Sequence, residues 1–262
     1  MTYYLQLYPV SSFAVLLYQC MRNKYQDFND SHGEYPAQVY YFRFDFCHLW
    51  QQHNTQNQPS NTMCFHSKQT KKAIELEHRF RAKFDRPETY TPSLFNGFQF
   101  PLTPVIAGND PTHIRMFNWG LIPGWAKDKD FRKNTLNARI ETIAEKPSFR
   151  AYTQQRCLVL ADGFYEWQWL DEQGKKKQKY EITLPGDEAF AFAGLWSEWT
   201  DKDTGECLHT YTILTTEADE LMARIHNSKK RMPVILHPEN EMEWLSGGKL
   251  DTSHIDLIAT PM

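Results

Sequence analysis

Cys64 has the most distinctive potential chemistry in this chain because it directly follows Met63. If a chain began at Met63 and lost that residue, Cys64 would be its first residue, with a free α-amine beside the thiol. Such a 1,2-aminothiol condenses with an aldehyde to a five-membered thiazolidine. An internal cysteine cannot do this, because its nitrogen is an amide and only its thiol is nucleophilic.

Glu166 and His226 are the candidate acid–base groups. Glu166 lies among aromatic residues, Tyr165 and Trp167 beside it. A carboxylate in such surroundings is either paired or has a raised pKa, which suits proton transfer near neutral pH. A glutamate on the solvent face of an edge strand fits the pattern equally well. His226 follows a short predicted helix and precedes a basic loop, and single histidines are more often structural or exposed than catalytic.

Two pairs of residues could contact a substrate. Asn137 and Arg139, two positions apart, point to the same side of an extended segment and could orient a substrate oxygen and a phosphate. Loop capping explains that pair as well. Trp119 and Trp125 bracket a Gly/Pro turn. Burial in the core is the usual role of tryptophan, whereas an exposed indole stacks well on a nucleobase.

Composition excludes several classes of protein. The net charge of −3 gives no global basic footprint for nucleic acid, although a local patch is compatible with it. The five cysteines are scattered without a CxxC pair, which argues against a disulfide framework or a zinc site and suits a reducing compartment. No apolar run approaches the roughly 20 residues of a membrane span, and residues 4–20 fit a secretory signal poorly. We expect a cytoplasmic protein without a metal or an organic cofactor.

The element pattern predicts an α+β fold, built on an antiparallel sheet or open barrel with a few short helices. Strand patterns are numerous and no βαβ rhythm accompanies them. The predicted strands are residues 105–106, 114–121, 157–160 (resuming at 165–167), 180–184, 190–196, 209–215 and 232–236. The predicted helices are residues 68–84, 141–149, 217–225 and 239–245.

The first 62 residues differ in character from the rest. They include a possible strand at 39–46 and a polar stretch at 51–62 that is typical of a linker. We therefore predict an N-terminal extension, 1–62, followed by one domain, 63–262. The simpler explanation of the extension is upstream sequence translated from a start site chosen too early; a genuine pro-segment is the alternative.

Several segments after Met63-Cys64 occur in the order found in the SOS-response-associated peptidase (SRAP) family. They are WGLIPGWAKD (119–128), LNARIET (136–142), RCLVLADGFYEW (156–167), IH (225–226) and RMPVIL (231–236). The chain resembles that family from residue 63 to its end, whereas residues 1–62 have no counterpart. The resemblance implies the SRAP fold and a covalent trap for abasic sites in single-stranded DNA.

The resemblance also implies roles for the candidate residues. The α-amine of Cys64 attacks the ring-opened deoxyribose aldehyde to give a Schiff base, and its thiol closes the thiazolidine. Asn137 positions the sugar, Glu166 holds or deprotonates the α-amine, and His226 shuttles the proton that opens the sugar hemiacetal. A monomer would suffice to trap a single lesion. In bacteria it would act on DNA at the nucleoid. The implied DNA contacts are Asn96, Trp125, Arg139, Thr215 and Arg231.

This sequence departs from the family pattern in four places. Cys64 is internal, so the Met63–Cys64 bond would have to be cleaved, in keeping with the peptidase activity credited to the family. Phe65-His66 replaces the usual Gly-Arg, which removes a possible phosphate contact. The insert before Arg231 is longer than usual. The family normally continues beyond the position of Met262, so the domain is expected to be short at that end.

Two other functions fit the same residues. In a cysteine hydrolase, Cys64 would be an internal nucleophile, His226 its base, and Asn137 or Glu166 the orienting group. That enzyme would need no free α-amine. In a non-covalent binder of single-stranded or modified DNA, the aromatic residues and Arg139 would provide a salt-dependent affinity, and loss of the Cys64 thiol would be tolerated.

Overall fold

Two β-sheets form the framework of residues 65–262, the part of the chain that this computed structural model describes. Cys64 and the strand predicted at 39–46 lie outside those residues. The strands are β1 (His66–Gln69), β2 (Lys83–Phe84), β3 (Ser93–Asn96), β4 (Leu102–Ala107), β5 (Asp110–Trp119), β6 (Asn137–Arg139), β7 (Arg156–Ala161), β8 (Gly163–Trp169), β9 (Lys177–Thr183), β10 (Phe190–Thr200), β11 (Cys207–Glu217), β12 (Arg231–Pro233), β13 (Ile235–Leu236) and β14 (Ile258–Pro261).

Three short α-helices accompany the sheets within residues 65–262. They are α1 (Ala73–Phe80), α2 (Glu220–Ile225) and α3 (Glu241–Leu245). No helix in this part of the chain has the length and apolar character needed to cross a membrane.

The larger sheet closes on itself. Its main path runs β12-β11-β10-β7-β4-β5-β2, with β13 beside β10 and β6 beside β11. A short parallel pairing of β11 with β5, Thr210 opposite Asn118, joins β11, β10, β7, β4 and β5 into a ring. Most other pairings are antiparallel. The predicted fold class, an α+β fold of antiparallel sheet or barrel with a few short helices, is confirmed.

β7 shows why the interior strands have continuous apolar runs. Its residues alternate between two core clusters, because successive side chains of a strand point to opposite faces. Cys157, Val159 and Ala161 belong to the cluster on the side of the smaller sheet, which includes residues of β8 and β9. Leu158 and Leu160 belong to the cluster that α1 and α3 cover. Both faces of β7 are therefore buried.

The smaller sheet has the strand order β14-β9-β8-β1-β3. On β8, Phe164 packs in the core cluster shared with the larger sheet, opposite Ile182 of β9 and Ser67 of β1. Tyr165 is on the other face, where the Lys179 ammonium lies 4.0 Å from the centre of its ring. Because side chains alternate, Glu166 lies on the same face of β8 as Phe164.

The helix predicted at residues 68–84 is shorter than the apolar spacing indicated. The residues before α1 form β1, since they pair with β3 on one side and with β8 on the other. α1 is followed at once by Arg81, whose φ of 52° is left-handed and stops the helix. Leu76 is the buried residue of α1, whereas Phe84 belongs to β2.

Residues 141–149 form successive turns, and the helix predicted there is wrong. Backbone N–H groups bond to carbonyls three or four residues back, as from Glu145 and Lys146 to Thr142, but these bonds do not continue as a regular helix. Pro147 has no N–H and disfavours helical geometry at the residue before it. The side chain of Glu141 is also held by a residue 90 positions away, so a tertiary contact fixes the start of this segment.

The strand predicted at residues 232–236 is divided between two partners. β12 pairs with β11 and β13 with β10, and between them the Val234 N–H donates to the Leu214 carbonyl. β14 was not predicted; it pairs with β9, with Ala259 opposite Ile182. Ala259 is the one β14 residue that packs against the core, so the strand has no apolar alternation that would reveal it.

Candidate functional site

Glu166 is a buried carboxylate on the core-facing side of β8. Its exposed fraction is 2 %, and it lies two residues after Phe164, whose side chain packs in the core. Its neighbour across the strand pair is Tyr180 of β9. Of the two positions that the sequence left open for this glutamate, the structure therefore shows the buried one. A carboxylate here is shielded from bulk water.

His226 is also buried, although the sequence placed it in a polar loop. Asp219 caps the start of α2 by accepting the Met222 N–H at 2.8 Å, and the helix ends at His226, which is 1 % exposed. The ring Nδ1 lies 2.7 Å from the Arg231 carbonyl oxygen. Because a carbonyl only accepts, Nδ1 carries the proton, and in the neutral ring Nε2 then has the lone pair.

Asn227 ties the His226 loop to β8. Its side-chain Nδ2 donates to the Trp169 carbonyl at 2.9 Å, and its Oδ1 accepts the Trp169 N–H at 3.0 Å. Gln168 adds a third hydrogen bond, from its Nε2 to the Arg224 carbonyl of α2 at 3.1 Å. Sequence reasoning missed Asn227. The sequence signal that could have found it is an amide side chain, which can donate and accept hydrogen bonds at once, in the first position of the insert between His226 and Arg231.

Asn137 begins β6, which runs parallel to β11 with Asn137 opposite Ile213. The residue before it is fixed on both sides. The Leu136 carbonyl accepts the Trp119 Nε1–H at 2.8 Å and the Ile213 N–H at 3.2 Å. Trp119 is fully buried, as expected of a core tryptophan, and it contributes to the site by holding this carbonyl.

Cys64 is outside the described residues, but its covalent neighbour Phe65 is firmly held. The Phe65 carbonyl accepts the Gly97 N–H at 2.8 Å, and its ring centre lies 4.6 Å from that of Phe98. Gly97 allows a close approach here, because a Cβ would lie only 3.3 Å from the Trp119 ring. The described chain is therefore held from its first residue, Phe65, by contacts with the turn that follows β3.

One core cluster connects the elements that carry the four candidate catalytic residues. Each candidate is preceded or followed, within two residues, by a side chain of that cluster. These side chains are Phe65, Leu136, Phe164 and Ile225. The segments that carry Asn137, Glu166 and His226, far apart in the sequence, are thus attached to the same packed unit as Phe65.

Trp125 is an exposed indole on an anchored turn. Its exposed fraction is 57 %, and its ring packs edge-on against Phe131 at 4.9 Å between centres. The turn is fixed just before it, where the Gly124 N–H donates to the Tyr152 hydroxyl at 2.6 Å. An exposed aromatic ring on a rigid support is the arrangement that stacks on a nucleobase.

Arg139 and Asn96 differ in what they present to solvent. Arg139, the last residue of β6, is exposed. Asn96 ends β3 and is half-buried, and its side-chain oxygen accepts the Phe98 N–H at 3.0 Å, so part of its amide caps the following turn. Opposite Asn96 is His66, where burial and the nearby Lys179 lower the imidazole pKa.

Thr215 and Arg231, both expected to contact DNA, are engaged inside the protein. Thr215 is 0 % exposed and its hydroxyl donates to the Ala138 carbonyl at 3.4 Å. Arg231 is 6 % exposed; its Nη1 and Nη2 donate to Glu141 at 2.8 and 2.9 Å, and Nη2 also donates to the Thr215 carbonyl at 2.7 Å. The resemblance did not indicate these internal contacts, and the DNA contacts that it implies for both residues stay a prediction. The Arg231 guanidinium lowers the pKa of Glu141.

Metal ligands do not gather anywhere in the described part of the chain. Within residues 65–262, no three His, Cys, Asp or Glu side chains are placed to hold a metal ion together. The two cysteines in this region, Cys157 and Cys207, are free, the first buried and the second exposed.

Comparison with known proteins identifies the family. The sequence profile described as "SOS response associated peptidase (SRAP)" matches residues 63–262. This chain belongs to that family. Over 156 residues it is 45 % identical to "Abasic site processing protein YoqW" of Bacillus subtilis, which covers 58 % of this chain and 67 % of that protein.

A vertebrate relative and a crystal structure extend the comparison. "Abasic site processing protein HMCES" of Xenopus tropicalis is 36 % identical over 162 residues, 53 % of this SRAP chain and 47 % of that protein, so the match spans about half of its length. A crystal structure of a Bacteroides thetaiotaomicron protein superposes with a TM-score of 0.67 at 37 % identity, covering 75 % of this chain and 91 % of that one.

Proposed function

We propose that this SRAP chain processes abasic sites in single-stranded DNA by forming a covalent thiazolidine through Cys64 once that residue is N-terminal. The names of its relatives YoqW and HMCES support abasic-site processing. The observation that carries the mechanism is the anchoring of Phe65 at the start of β1, directly beside β8 and its buried Glu166. A flexible N-terminus would not hold an aminothiol next to a fixed carboxylate.

The reaction has two bond-forming steps. The Cys64 α-amine adds to the C1 aldehyde of the ring-opened deoxyribose, and one water leaves as the Schiff base forms. The Cys64 sulfur then adds to the imine carbon, and the thiol proton ends on the nitrogen, which closes the five-membered ring. The adduct therefore has the combined mass of protein and DNA less one water.

Three side chains support these steps. Glu166 accepts a proton from the α-ammonium of Cys64, which frees the amine lone pair. His226, with its proton on Nδ1, uses Nε2 to move the proton that opens the sugar hemiacetal. Asn137 donates and accepts hydrogen bonds to the sugar oxygens without adding charge. General acid–base groups of this kind contribute about 10²- to 10⁴-fold to a rate.

Cys64 can become N-terminal in two ways. Synthesis from Met63 followed by removal of that methionine exposes it directly. Alternatively, the Cys64 thiol attacks the Met63 carbonyl, the amide nitrogen leaves as the new α-amine, and water hydrolyses the thioester. The second route is a self-cleavage that releases residues 1–63 and makes the chain its own peptidase substrate.

Exposed groups outside the reacting centre bind the flanking strand. Trp125 stacks on a base beside the lesion, a contact typically worth about 1–3 kcal/mol, and Arg139 contacts a phosphate. An abasic nucleotide has no base to extrude, which favours its selection. In a bacterial cell this activity would place a cytoplasmic monomer on nucleoid DNA wherever single strands carry lesions.

Intact mass spectrometry with a single-stranded oligonucleotide carrying one abasic site tests the proposal. A species beginning at Cys64, from the full chain or from one started at Met63, is expected to gain the DNA mass less one water and to keep it under denaturing conditions. Cys64→Ala should abolish the adduct. The matched control is Cys207→Ala, which removes an exposed thiol elsewhere and should leave the adduct unchanged.

Other outcomes separate the competing functions. An adduct that survives Cys64→Ala, or no adduct from the species that begins at Cys64, would contradict the aminothiol mechanism. Hydrolysis of a peptide by a chain whose Cys64 is still internal would favour the cysteine hydrolase. Salt-dependent DNA binding that is indifferent to Cys64→Ala would favour the non-covalent binder.

A further inference from the structure

We propose that Glu141 is a positioning residue, which acts through Arg231 to hold the His226 ring in its Nδ1–H form. The inference rests on the proposed function in so far as His226 takes part in crosslinking. Its structural content is independent, because the state of the ring can be measured without DNA. Neither Glu141 nor this role of Arg231 follows from the sequence motifs.

The side chain of Arg231 is fixed by two acceptors. Its two terminal nitrogens bind both oxygens of Glu141, at 2.8 and 2.9 Å, and Nη2 also donates to the Thr215 carbonyl at 2.7 Å. A bidentate arginine–carboxylate pair defines the plane of the guanidinium as well as its position. With 6 % of Arg231 exposed, loss of Glu141 would leave a buried cation without its counter-ion.

The backbone of the same arginine fixes the histidine. The Arg231 carbonyl accepts the His226 Nδ1–H at 2.7 Å. The four residues between them form a closed loop, in which the Lys230 N–H donates to the His226 carbonyl at 2.8 Å and the Lys230 carbonyl accepts the Ala218 N–H at 3.0 Å. A shift of Arg231 therefore moves the acceptor that selects the ring tautomer.

The ion pair also links His226 to the strand of Asn137. Glu141 follows the end of β6 by two residues. The Thr215 carbonyl accepts both the Arg231 Nη2 and the Ile140 N–H, the latter at 3.1 Å. The Thr215 carbonyl of β11 thus accepts hydrogen bonds from Arg231 and from Ile140. The Glu141–Arg231 ion pair joins the same two segments a second time.

A direct DNA contact by Arg231 would give the opposite effect of removing Glu141 on DNA binding and crosslinking. If Arg231 were a DNA contact restrained by Glu141, removal of the carboxylate would free a cation and remove a negative charge, so DNA binding and crosslinking would both strengthen. As a positioning residue, Glu141 must instead be needed for the rate at saturating DNA, because without it the carbonyl that accepts the His226 Nδ1 proton is less firmly held.

Glu141→Gln in the full chain is the test, with Glu145→Gln as the matched control. Glu145 is an exposed glutamate in the same series of turns, so its substitution removes the same charge. Histidine-selective ¹⁵N labelling reports the His226 tautomer, with its resonance assigned by loss in His226→Gln among the ten histidines. The crosslinking rate is measured at saturating oligonucleotide in the species that forms the adduct.

The expected result is a mixed His226 tautomer in Glu141→Gln, a crosslinking rate about tenfold lower, and no change of either in Glu145→Gln. A His226 spectrum in Glu141→Gln that matches the control overturns the proposal, whatever the rate. An equal or faster rate with an altered spectrum also overturns it. If the wild-type protein forms no adduct, the proposed function fails, while the spectrum alone still decides whether Glu141 positions His226.

Discussion

At the scale of single residues, Glu166 is the side chain whose surroundings most restrict what it can do. It is almost fully enclosed on a strand between β1 and β9, on the face that meets the core. Burial of a carboxylate is costly unless a polar partner compensates for it. We propose this enclosed carboxylate as the group that takes a proton from the α-ammonium of Cys64.

Glu166→Gln is expected to slow adduct formation by about 10²-fold or more, because the amide cannot take a proton from the α-ammonium. The rate of crosslinking under single-turnover conditions measures this, and circular dichroism checks that the fold is retained. Glu181→Gln is the control: that glutamate lies on β9 with its carboxylate 2.8 Å from Lys68 and should leave the rate unchanged. Equal rates for wild type and Glu166→Gln would remove the assigned proton transfer.

At two positions the structure shows internal contacts that residue identity alone does not indicate. Thr215 and Arg231 are of types that bind DNA, and the resemblance implied that role. In the folded protein their donors go to Ala138, Glu141 and to the backbone of Thr215 itself. Whether a polar side chain is available to a ligand depends on what surrounds it, and residue type does not contain that information.

At the scale of elements, the site is held by contacts between the segments that bear its residues. β8 carries Glu166 and the end of α2 carries His226. The reciprocal pair between Asn227 and the Trp169 backbone joins them in the manner of a strand pairing, with one side chain supplying both the donor and the acceptor. The first residue of the insert after His226 therefore has a structural role, which is to hold this loop against β8.

Asn227→Ala is expected to lower the free energy of unfolding by about 1–3 kcal/mol, because two hydrogen bonds of about 1 kcal/mol each are lost. It should also speed hydrogen exchange at the Trp169 amide and slow crosslinking, since β8 and the His226 loop are no longer joined. Urea denaturation and amide exchange measure the two structural effects. Asn134→Ala, at an exposed asparagine, is the control. Unchanged exchange at Trp169 would show that this pair does not join the two elements.

At the scale of the whole molecule, a chain with a net charge of −3 is proposed to bind a polyanion. Overall attraction is therefore absent, and binding must depend on a few local contacts. The exposed Arg139, two residues from Asn137 on the short strand β6, is the cation nearest in sequence to the proposed sugar contact. A small number of phosphate contacts predicts a shallow dependence of affinity on salt.

Arg139→Ala should weaken binding of undamaged single-stranded DNA uniformly across sequences. It should also reduce the slope of log K against log salt by about 0.7, the value for one phosphate of a single strand. Titrations at several salt concentrations measure the slope. Arg150→Ala, at another exposed arginine, should leave it unchanged. A slope that is the same in wild type and Arg139→Ala would exclude a phosphate contact by Arg139.

The sequence by itself determined the family, the fold class and the candidate residues. The fold class followed from the many strand patterns, such as residues 157–160, and from the lack of a βαβ rhythm. The order of the motifs after Met63 identified the SRAP family, and the adjacency of methionine and cysteine indicated the aminothiol. These signals are local: each is contained in a few consecutive residues or in their order.

Only the tertiary structure decided which of those residues are enclosed and what holds them. It placed Glu166 on the core face, converted the predicted helix at 141–149 into turns, and joined Glu141 to Arg231 across 90 positions. Burial and hydrogen bonding depend on neighbours supplied by distant segments, and no periodicity within either segment records them. That is the physical reason why the candidate residues could be named from the sequence, whereas the Glu141–Arg231 pair beside His226 could not.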